Sequence, residues 1–192
     1  MKRIAVWAAL ACLPVAAQAG EWQVDTRAKG NQAQFTSQVV GFTFHGVTDQ
    51  VDGFYYWEGQ DLFAGRDTLR FEVVLGTLDT GIGKRDRDMR EVLSTQRWPK
   101  AVFTGRVAQH QPVDSTVAAY RVVARGTMAI HGVERPMDLP GTVVVEAGHS
   151  TVATHFTLRL RDFDIEAPTL AAFIKVSQEI VVDAFVHLKH VR

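Results

Sequence analysis

The sequence predicts an all-β protein in which about eight antiparallel strands close into a barrel. Apolar and polar residues alternate with a period of two along most of the chain after residue 19, as in strands that place one face in a core. The spacers between these segments are short and rich in Gly, Asp or Pro, which is typical of an antiparallel meander. Because closure removes exposed sheet edges, we expect such a meander to close on itself.

Four segments show the clearest alternation. Since successive side chains of a strand point to opposite faces, the apolar positions of each segment share a core-facing side. Four further strands are predicted over 33–44, 51–58, 101–109 and 137–146, and Gly126 indicates a bend or bulge in its strand. The core-facing positions of the first four are Leu69, Phe71, Val73 and Leu75; Val122, Ala124, Met128 and Ile130; Val152, Phe156, Leu158 and Leu160; and Ile180, Val182, Ala184, Val186 and Leu188.

One charged segment, "GKRDRDMREVLSTQRWP" over residues 83–99, breaks the strand pattern. Met89 and Leu93 are four residues apart and Pro99 ends the segment, which predicts a short helix from about Arg85 to Leu93 that caps the barrel. Its arginines are consistent with either a phosphate clamp or a solvated helix face with short-range ion pairs. The solvated face is the favoured interpretation.

The amino terminus has the pattern of a signal peptide. Lys2 and Arg3 precede an uncharged apolar run that ends in Ala17-Gln18-Ala19, so residues 1–19 are predicted to be a cleavable signal and residues 20–192 one exported domain. No later segment has about 20 consecutive apolar residues, the length that a membrane-spanning helix needs.

Composition and motifs exclude several classes of function for the mature chain. Its only cysteine, Cys12, lies in the predicted signal, and removal of Lys2 and Arg3 leaves 21 − 2 = 19 basic against 21 acidic residues, which disfavours nucleic acid as a partner. The seven histidines show no metal-ligand spacing, and the common catalytic and phosphate-binding motifs are absent. We therefore predict no metal, no cofactor and no enzymatic activity.

The interior of an eight-stranded barrel is either filled by side chains or open to one small ligand. Aromatic residues are numerous in this chain, but alternation identifies the inward face of a strand and does not measure the space behind it. An open cavity and a filled core therefore both remain consistent with the sequence. The aromatics concerned are Phe35, Phe42, Phe44, Phe54, Tyr55, Tyr56, Trp57, Phe71 and Phe103.

Six stretches, in order along nearly all of the predicted mature chain, resemble the YceI-like family of exported proteins. They are W-x-V-D at Trp22–Asp25; "VDGFYYWEG" with Phe54, Trp57 and Gly59; "LDTGIGKRDRDMR" with Asp79-Thr80 and Arg85-Asp86; "RWPKAVFTG" with Pro99 and Phe103; "IHGVERPMDLP"; and "LRDFDI".

The resemblance implies an elongated lipocalin-like barrel with its helix near one mouth and a pore that holds a long isoprenoid or acyl chain in the periplasm. It also implies that His131 and Gly132 form the corner between two adjacent strands rather than a catalytic cluster. The chain departs from the family pattern at Asp164, where glycine is common.

The predicted partner is an apolar lipid: a polyisoprenoid, an isoprenoid quinone or a fatty acyl chain. Transient membrane contact is expected. The sequence is consistent with either a monomer or a homodimer. Three alternatives remain: a quinone binder that serves a respiratory chain, a lipid enzyme that uses His45, His131 or Asp162, and a non-binding envelope stress or structural protein with a filled core. The predicted ligand-binding residues are Phe42, Phe44, Phe54, Leu69, Phe71, Val73, Leu75, Met89, Leu93, Phe103, Val122, Met128, Ile130, Phe156, Leu158, Ile180 and Val182.

Overall fold

The computed structural model describes residues 19–39, 41–63, 65–113, 117–167, 169–170 and 174–191. The predicted signal peptide therefore lies outside the described residues except for Ala19. The strands are β1 (Ala19–Val24), β2 (Gln32–Val39), β3 (Phe42–Thr48), β4 (Val51–Glu58), β5 (Asp67–Val74), β6 (Lys100–Pro112), β7 (Ala119–Ile130), β8 (Val133–Glu146), β9 (His149–Arg159), β10 (Thr169–Leu170), β11 (Ile174–Lys175) and β12 (Glu179–His190).

One α-helix, α1, spans Gly83–Val92, close to the predicted Arg85–Leu93. Two short 3-10 helices cover Leu75–Thr77 and Leu160–Phe163. Within the described part of the chain, no helix has the length and apolar character needed to cross a membrane.

Eight strands form a closed antiparallel barrel, as predicted, in the order β1-β4-β5-β6-β7-β8-β9-β12. The ring closes where β12 pairs with β1, with Trp22 opposite His190 and Val24 opposite Leu188. The loop after β1 extends this junction, because the Asn31 side chain accepts a hydrogen bond from the His187 amide at 2.8 Å and donates one to the Asp25 carbonyl at 2.8 Å.

The single strand predicted over 33–44 is wrong, because this segment forms two strands, β2 and β3, with Gly41 between them at φ 92°. β2 pairs with residues 181–185 of β12, whereas β1 pairs with residues 188–190 of the same strand. β3 pairs with β2. The apolar pattern continues through the turn at Gly41, so the periodicity does not show that the chain reverses direction there. The eighth strand of the barrel is β1, which the alternation did not identify.

The corner between β7 and β8 is made by His131 and Gly132, with φ angles of 55° and 78°. Two successive positive φ values are those of the tight hairpin turn that follows the twist of its strands. A Cβ at Gly132 would lie 2.5 Å from the Trp98 ring, and His131 Nε2 lies 3.2 Å from the Ser94 hydroxyl. His131 thus joins the hairpin to the segment that follows α1, which accounts for its place in the motif.

Asp164, the departure from the family pattern, ends the 3-10 helix Leu160–Phe163 with φ 54° and ψ 33°. This is the left-handed conformation that glycine adopts most readily and that Asp tolerates better than most residues. The turn is therefore retained with a different residue.

The bulge predicted at Gly126 is wrong in position, because the register between β6 and β7 shifts between Val107 and Gln109. Gly126 instead lies directly opposite Gly105. A Cβ at Gly126 would lie 2.2 Å from the Thr104 carbonyl oxygen, and one at Gly105 would lie 2.4 Å from the Arg125 carbonyl oxygen. The two glycines let the backbones of adjacent strands approach more closely than any side chain would permit.

Replacement of Gly126 by alanine is expected to lower the free energy of unfolding by about 1–3 kcal/mol, since backbone atoms must move to admit the methyl group. Urea denaturation of the purified domain measures the change. The control is Gly83→Ala, in the first turn of α1, where a Cβ meets no atom within 4 Å. A Gly126→Ala variant as stable as the Gly83→Ala control would contradict this account of the glycine pair.

Candidate ligand-binding site

The barrel encloses a cavity of about 880 Å³ that is lined almost entirely by apolar side chains. This volume lies near the upper end of the range of about 300–1,000 Å³ that is typical of small-molecule sites. The core is therefore open, and the filled-core interpretation of the sequence does not hold.

Every predicted ligand-binding residue lines this cavity except Phe54. On β4 the lining residues are Val51 and Tyr55, so Phe54, one position before Tyr55, belongs to the opposite face of the strand. Phe54 is predicted near the mouth and belongs to the family-like stretch "VDGFYYWEG", which does not reveal which alternate residues point inward. The residues placed as predicted are Phe42, Phe44, Leu69, Phe71, Val73, Leu75, Met89, Leu93, Phe103, Val122, Met128, Ile130, Phe156, Leu158, Ile180 and Val182.

The predicted ligand-binding residues do not include the lining residues contributed by β1, β2, β4 and the loops. β1 and β2 meet β12 across more than 140 positions of sequence, so no local pattern identifies what they face. The W-x-V-D motif was the available signal for Trp22. The missed residues include Trp22, Ala33, Phe35, Ser37, Val39, Val51, Tyr55, Phe63, Leu78 and Val176.

An aromatic cluster blocks one end of the barrel. Trp57 packs edge-on against Trp22, with ring centroids 5.3 Å apart, and stacks on Tyr55 at 5.7 Å. The Tyr55 hydroxyl donates a hydrogen bond to the Leu62 carbonyl. Burial, and secondarily the charge of Asp67, raise the pKa of Tyr55 far above its ordinary value, so this phenol stays neutral and the closed end remains uncharged at Tyr55.

The opposite end is the mouth of the cavity. Phe42 and Ile82 line the cavity and yet expose 55% and 53% of their surfaces, which places them on its rim. The charged lining residues all belong to α1 at this end: Lys84, Arg85, Asp88 and Glu91. Two cations and two carboxylates leave this rim without net charge.

Thr80 connects the start of α1 to the rim. Its backbone amide and hydroxyl donate hydrogen bonds to Asp86 Oδ1, at 2.9 Å and 2.5 Å. Arg85 donates to the Thr80 hydroxyl oxygen and carbonyl oxygen, each at 2.8 Å, and its guanidinium lies 4.7 Å from the centre of the Phe44 ring. The prediction that the charged residues of α1 form a solvated face is therefore wrong for Asp86. This residue is buried, and its hydrogen bonds fix the helix to the chain before it.

Three buried polar atoms have no hydrogen-bonding partner among the described residues: the hydroxyl oxygens of Ser37 and Ser150, and Asp67 Oδ1. Of these residues, only Ser37 lines the cavity. A buried donor or acceptor without a partner costs about 1–3 kcal/mol.

The candidate catalytic residues do not lie in the cavity lining. His45 is exposed on β3, and His131 occupies the β7–β8 turn. Asp162 is exposed, and its carbonyl oxygen accepts a hydrogen bond from Arg135 at 2.6 Å. In the described ranges, no group of three or more His, Cys, Asp or Glu side chains is placed to hold a metal ion.

Asp86→Asn is expected to destabilise the protein by about 1 kcal/mol at neutral pH, because the buried carboxylate accepts two hydrogen bonds. Those bonds, the hydroxyl of Thr80 first, hold the pKa of Asp86 below its ordinary value. A lowered pKa contributes stability that is complete above about pH 4 and is lost as the pH falls further.

Urea denaturation from pH 7 to pH 3 should therefore show a gap between wild type and Asp86→Asn that narrows below about pH 4. The matched control is Asp88→Asn, which removes only an exposed ion pair with Lys84 and should change stability by less than about 0.5 kcal/mol. Equal losses in the two variants would contradict the role given to Asp86.

Comparison with known proteins gives a consistent family and fold. The family model of the YceI-like domain matches residues 22–188. A UPF0312 protein of Shewanella denitrificans is 24% identical in an alignment over 183 residues, and the alignment covers 89% of this chain and 90% of the relative.

Two solved structures share the fold. A polyisoprenoid-binding domain from Saccharophagus degradans has a TM-score of 0.70 at 19% identity, over 88% of this chain and 97% of its own. Burkholderia cenocepacia BcnA has a TM-score of 0.68 at 14% identity, over 85% of this chain and 98% of its own. The cavity thus lies in a barrel that these proteins share, and the chain belongs to the YceI-like family.

Proposed function

We propose that this protein holds the long apolar chain of an isoprenoid, or of a similar lipid, inside its barrel and serves as a periplasmic carrier. The observation that carries the proposal is the apolar cavity of about 880 Å³, blocked at one end by aromatic rings and open at the other beside α1. The Saccharophagus degradans neighbour, described as a polyisoprenoid-binding domain, supports the same class of ligand.

Burial of the chain supplies the affinity in this proposal. Each buried CH2 group contributes about 0.8 kcal/mol, so ten to fifteen such groups give roughly 8–12 kcal/mol before the cost of ordering the ligand is deducted. No catalytic group is needed for such binding, which supports a binding protein over a lipid enzyme. A soluble container is useful in the aqueous space between two membranes, where the predicted signal peptide would deliver the chain.

Native mass spectrometry of protein purified from the periplasm without detergent tests the proposal. We expect a stoichiometric extra mass that extracts into organic solvent as a lipid. The blocking variant Ala124→Trp, at a lining position on β7, should lose that mass because the indole occupies the cavity. Ala129→Trp, on the other face of β7, is the control and should keep it.

An unliganded mass for the wild-type protein, unchanged after incubation with polyprenol, isoprenoid quinone or fatty acid, would instead favour a non-binding envelope protein. Extraction of a quinone would favour the respiratory alternative.

Transient contact with a membrane belongs to the same proposal, because the ligand must leave a bilayer to enter the barrel. Phe42 and Ile82 are half-exposed apolar side chains at the mouth, where they can enter the interfacial layer of the membrane. The rim beside them carries both signs of charge on Lys84, Arg85, Asp88 and Glu91. Apolar insertion, more than attraction to anionic lipid, is therefore the proposed mode of contact.

Phe42→Ser with Ile82→Ser is expected to slow uptake of a fluorescent isoprenoid from phosphatidylcholine vesicles by about tenfold, with little change in equilibrium affinity. Stopped-flow transfer from vesicles measures the rate. The control is Val113→Ser, which removes a side chain of similar exposure, 47%, at the end of β6 away from the mouth. Equal rates for the double variant and the control would exclude the rim as the contact surface.

A further inference from the structure

The wall of the barrel near the mouth ends in the outer edge of β3. Because β12 pairs with β1 at one end and with β2 at the other, β2 and β3 continue the wall beyond the closed ring. Across the outer edge of β3, the Val47 amide donates a hydrogen bond to the Asp79 carbonyl, and the Asp79 amide donates one to the Val47 carbonyl, each at 2.9 Å. The boundary between β3 and residues 79–82 is called the seam below.

The rest of this edge has unpaired backbone groups. The N–H and C=O groups of successive strand residues point to opposite sides, and those of Val47 point away from β2, so those of Thr43 and His45 do so as well. In the part of the chain that the structure describes, neither residue forms a backbone hydrogen bond across the seam. The seam is therefore fastened at one residue pair and unfastened between that pair and the mouth.

Both sides of the seam belong to the cavity wall. Phe42 and Phe44 line the cavity from β3, and Ile82 lines it from the other side. Leu78, the residue before the fastened pair, also lines the cavity and is buried. Separation of the fastened pair would therefore extend the mouth into a slit along the side wall of the cavity.

The side of the seam opposite β3 is tied to α1. Thr80 donates two hydrogen bonds to Asp86 and accepts two from Arg85, so this segment and the start of the helix form one unit. Against β3, the unit places the Thr80 methyl carbon 3.0 Å from where a Cβ of Gly46 would lie, and the Arg85 guanidinium 4.7 Å from the centre of the Phe44 ring. Contacts of these kinds are individually weak.

We propose that the seam is a lateral gate: Val47 and Asp79 separate, α1 moves away from β3 together with the segment that it holds, and an extended lipid enters the cavity sideways. A long chain that enters end-on must pass its whole length through the mouth, whereas a slit along the wall admits several of its segments at once. A small open population is enough, because the seam closes again over the bound chain. This inference rests on the proposed lipid-binding function and adds the route of exchange.

A disulfide across the seam tests the gate. Val47→Cys with Asp79→Cys places two thiols at directly opposite positions of an antiparallel bridge, a separation that a disulfide spans. The predicted mature chain has no cysteine of its own. The control, Thr36→Cys with His45→Cys, links β2 to β3 at opposite positions without crossing the seam. Stopped-flow transfer of dansyl-labelled geranylgeraniol from phosphatidylcholine vesicles measures the rate of uptake.

The oxidised seam variant should take up the probe about tenfold more slowly than its reduced form, since the open state is no longer accessible, and reductant should restore the rate. Equilibrium affinity should be equal in the two forms. The control should show one rate, oxidised or reduced. Equal rates for the oxidised and reduced seam variant would overturn the gate and leave the container function intact. Failure of the wild-type protein to bind the probe would overturn the container function as well.

A variant that weakens the seam should have the opposite effect, and this test does not depend on the cysteine variants. Val47→Pro removes the N–H that crosses the seam and keeps the pairing with β2, because proline is tolerated where the N–H faces away from the sheet. Uptake should become about threefold to tenfold faster, the ratio that corresponds to one backbone hydrogen bond. Thr43→Pro is the matched control, since its N–H faces the same edge without a partner among the described residues. Equal rates for these two proline variants would contradict the gate.

Discussion

The pairing of β12 with two different strands is the constraint on which the rest of the structure depends. One end of β12 pairs with β1 and closes the ring, while the other pairs with β2, which brings β3 to the mouth. The contact between the Asn31 side chain and the His187 amide joins these two regions at the loop between β1 and β2. Without this shared strand the eight-stranded ring would not close, and the apolar faces would have no enclosed space to line.

Closure has a direct consequence for the interior. Eight strands set the width of the barrel, and the inward residues are too small in total volume to fill it, so about 880 Å³ remains open. The cavity is therefore a property of the barrel geometry as much as of the particular apolar residues.

The two ends of the cavity differ in chemistry, and this difference gives the site a direction. Large rings with few exposed atoms close one end around Trp22 and Tyr55. The other end combines the exposed rings and aliphatic groups of the rim with a helix held by hydrogen bonds between Thr80 and Asp86. A molecule with an apolar tail and a polar head matches this gradient in one orientation only.

The amino-acid sequence by itself determined the class of fold, the eight-stranded closure, the short helix and most of the inward face, because strand alternation is a local property of neighbouring residues. It also identified His131 and Gly132 as a corner, through their motif. Long-range pairing decided the rest. The division of 33–44 into β2 and β3, the place of β1 in the ring and the outward position of Phe54 all depend on which strands meet. The open volume and the unpartnered hydroxyl of Ser37 likewise exist only when residues distant in sequence surround the same space. No local sequence pattern encodes such long-range contacts.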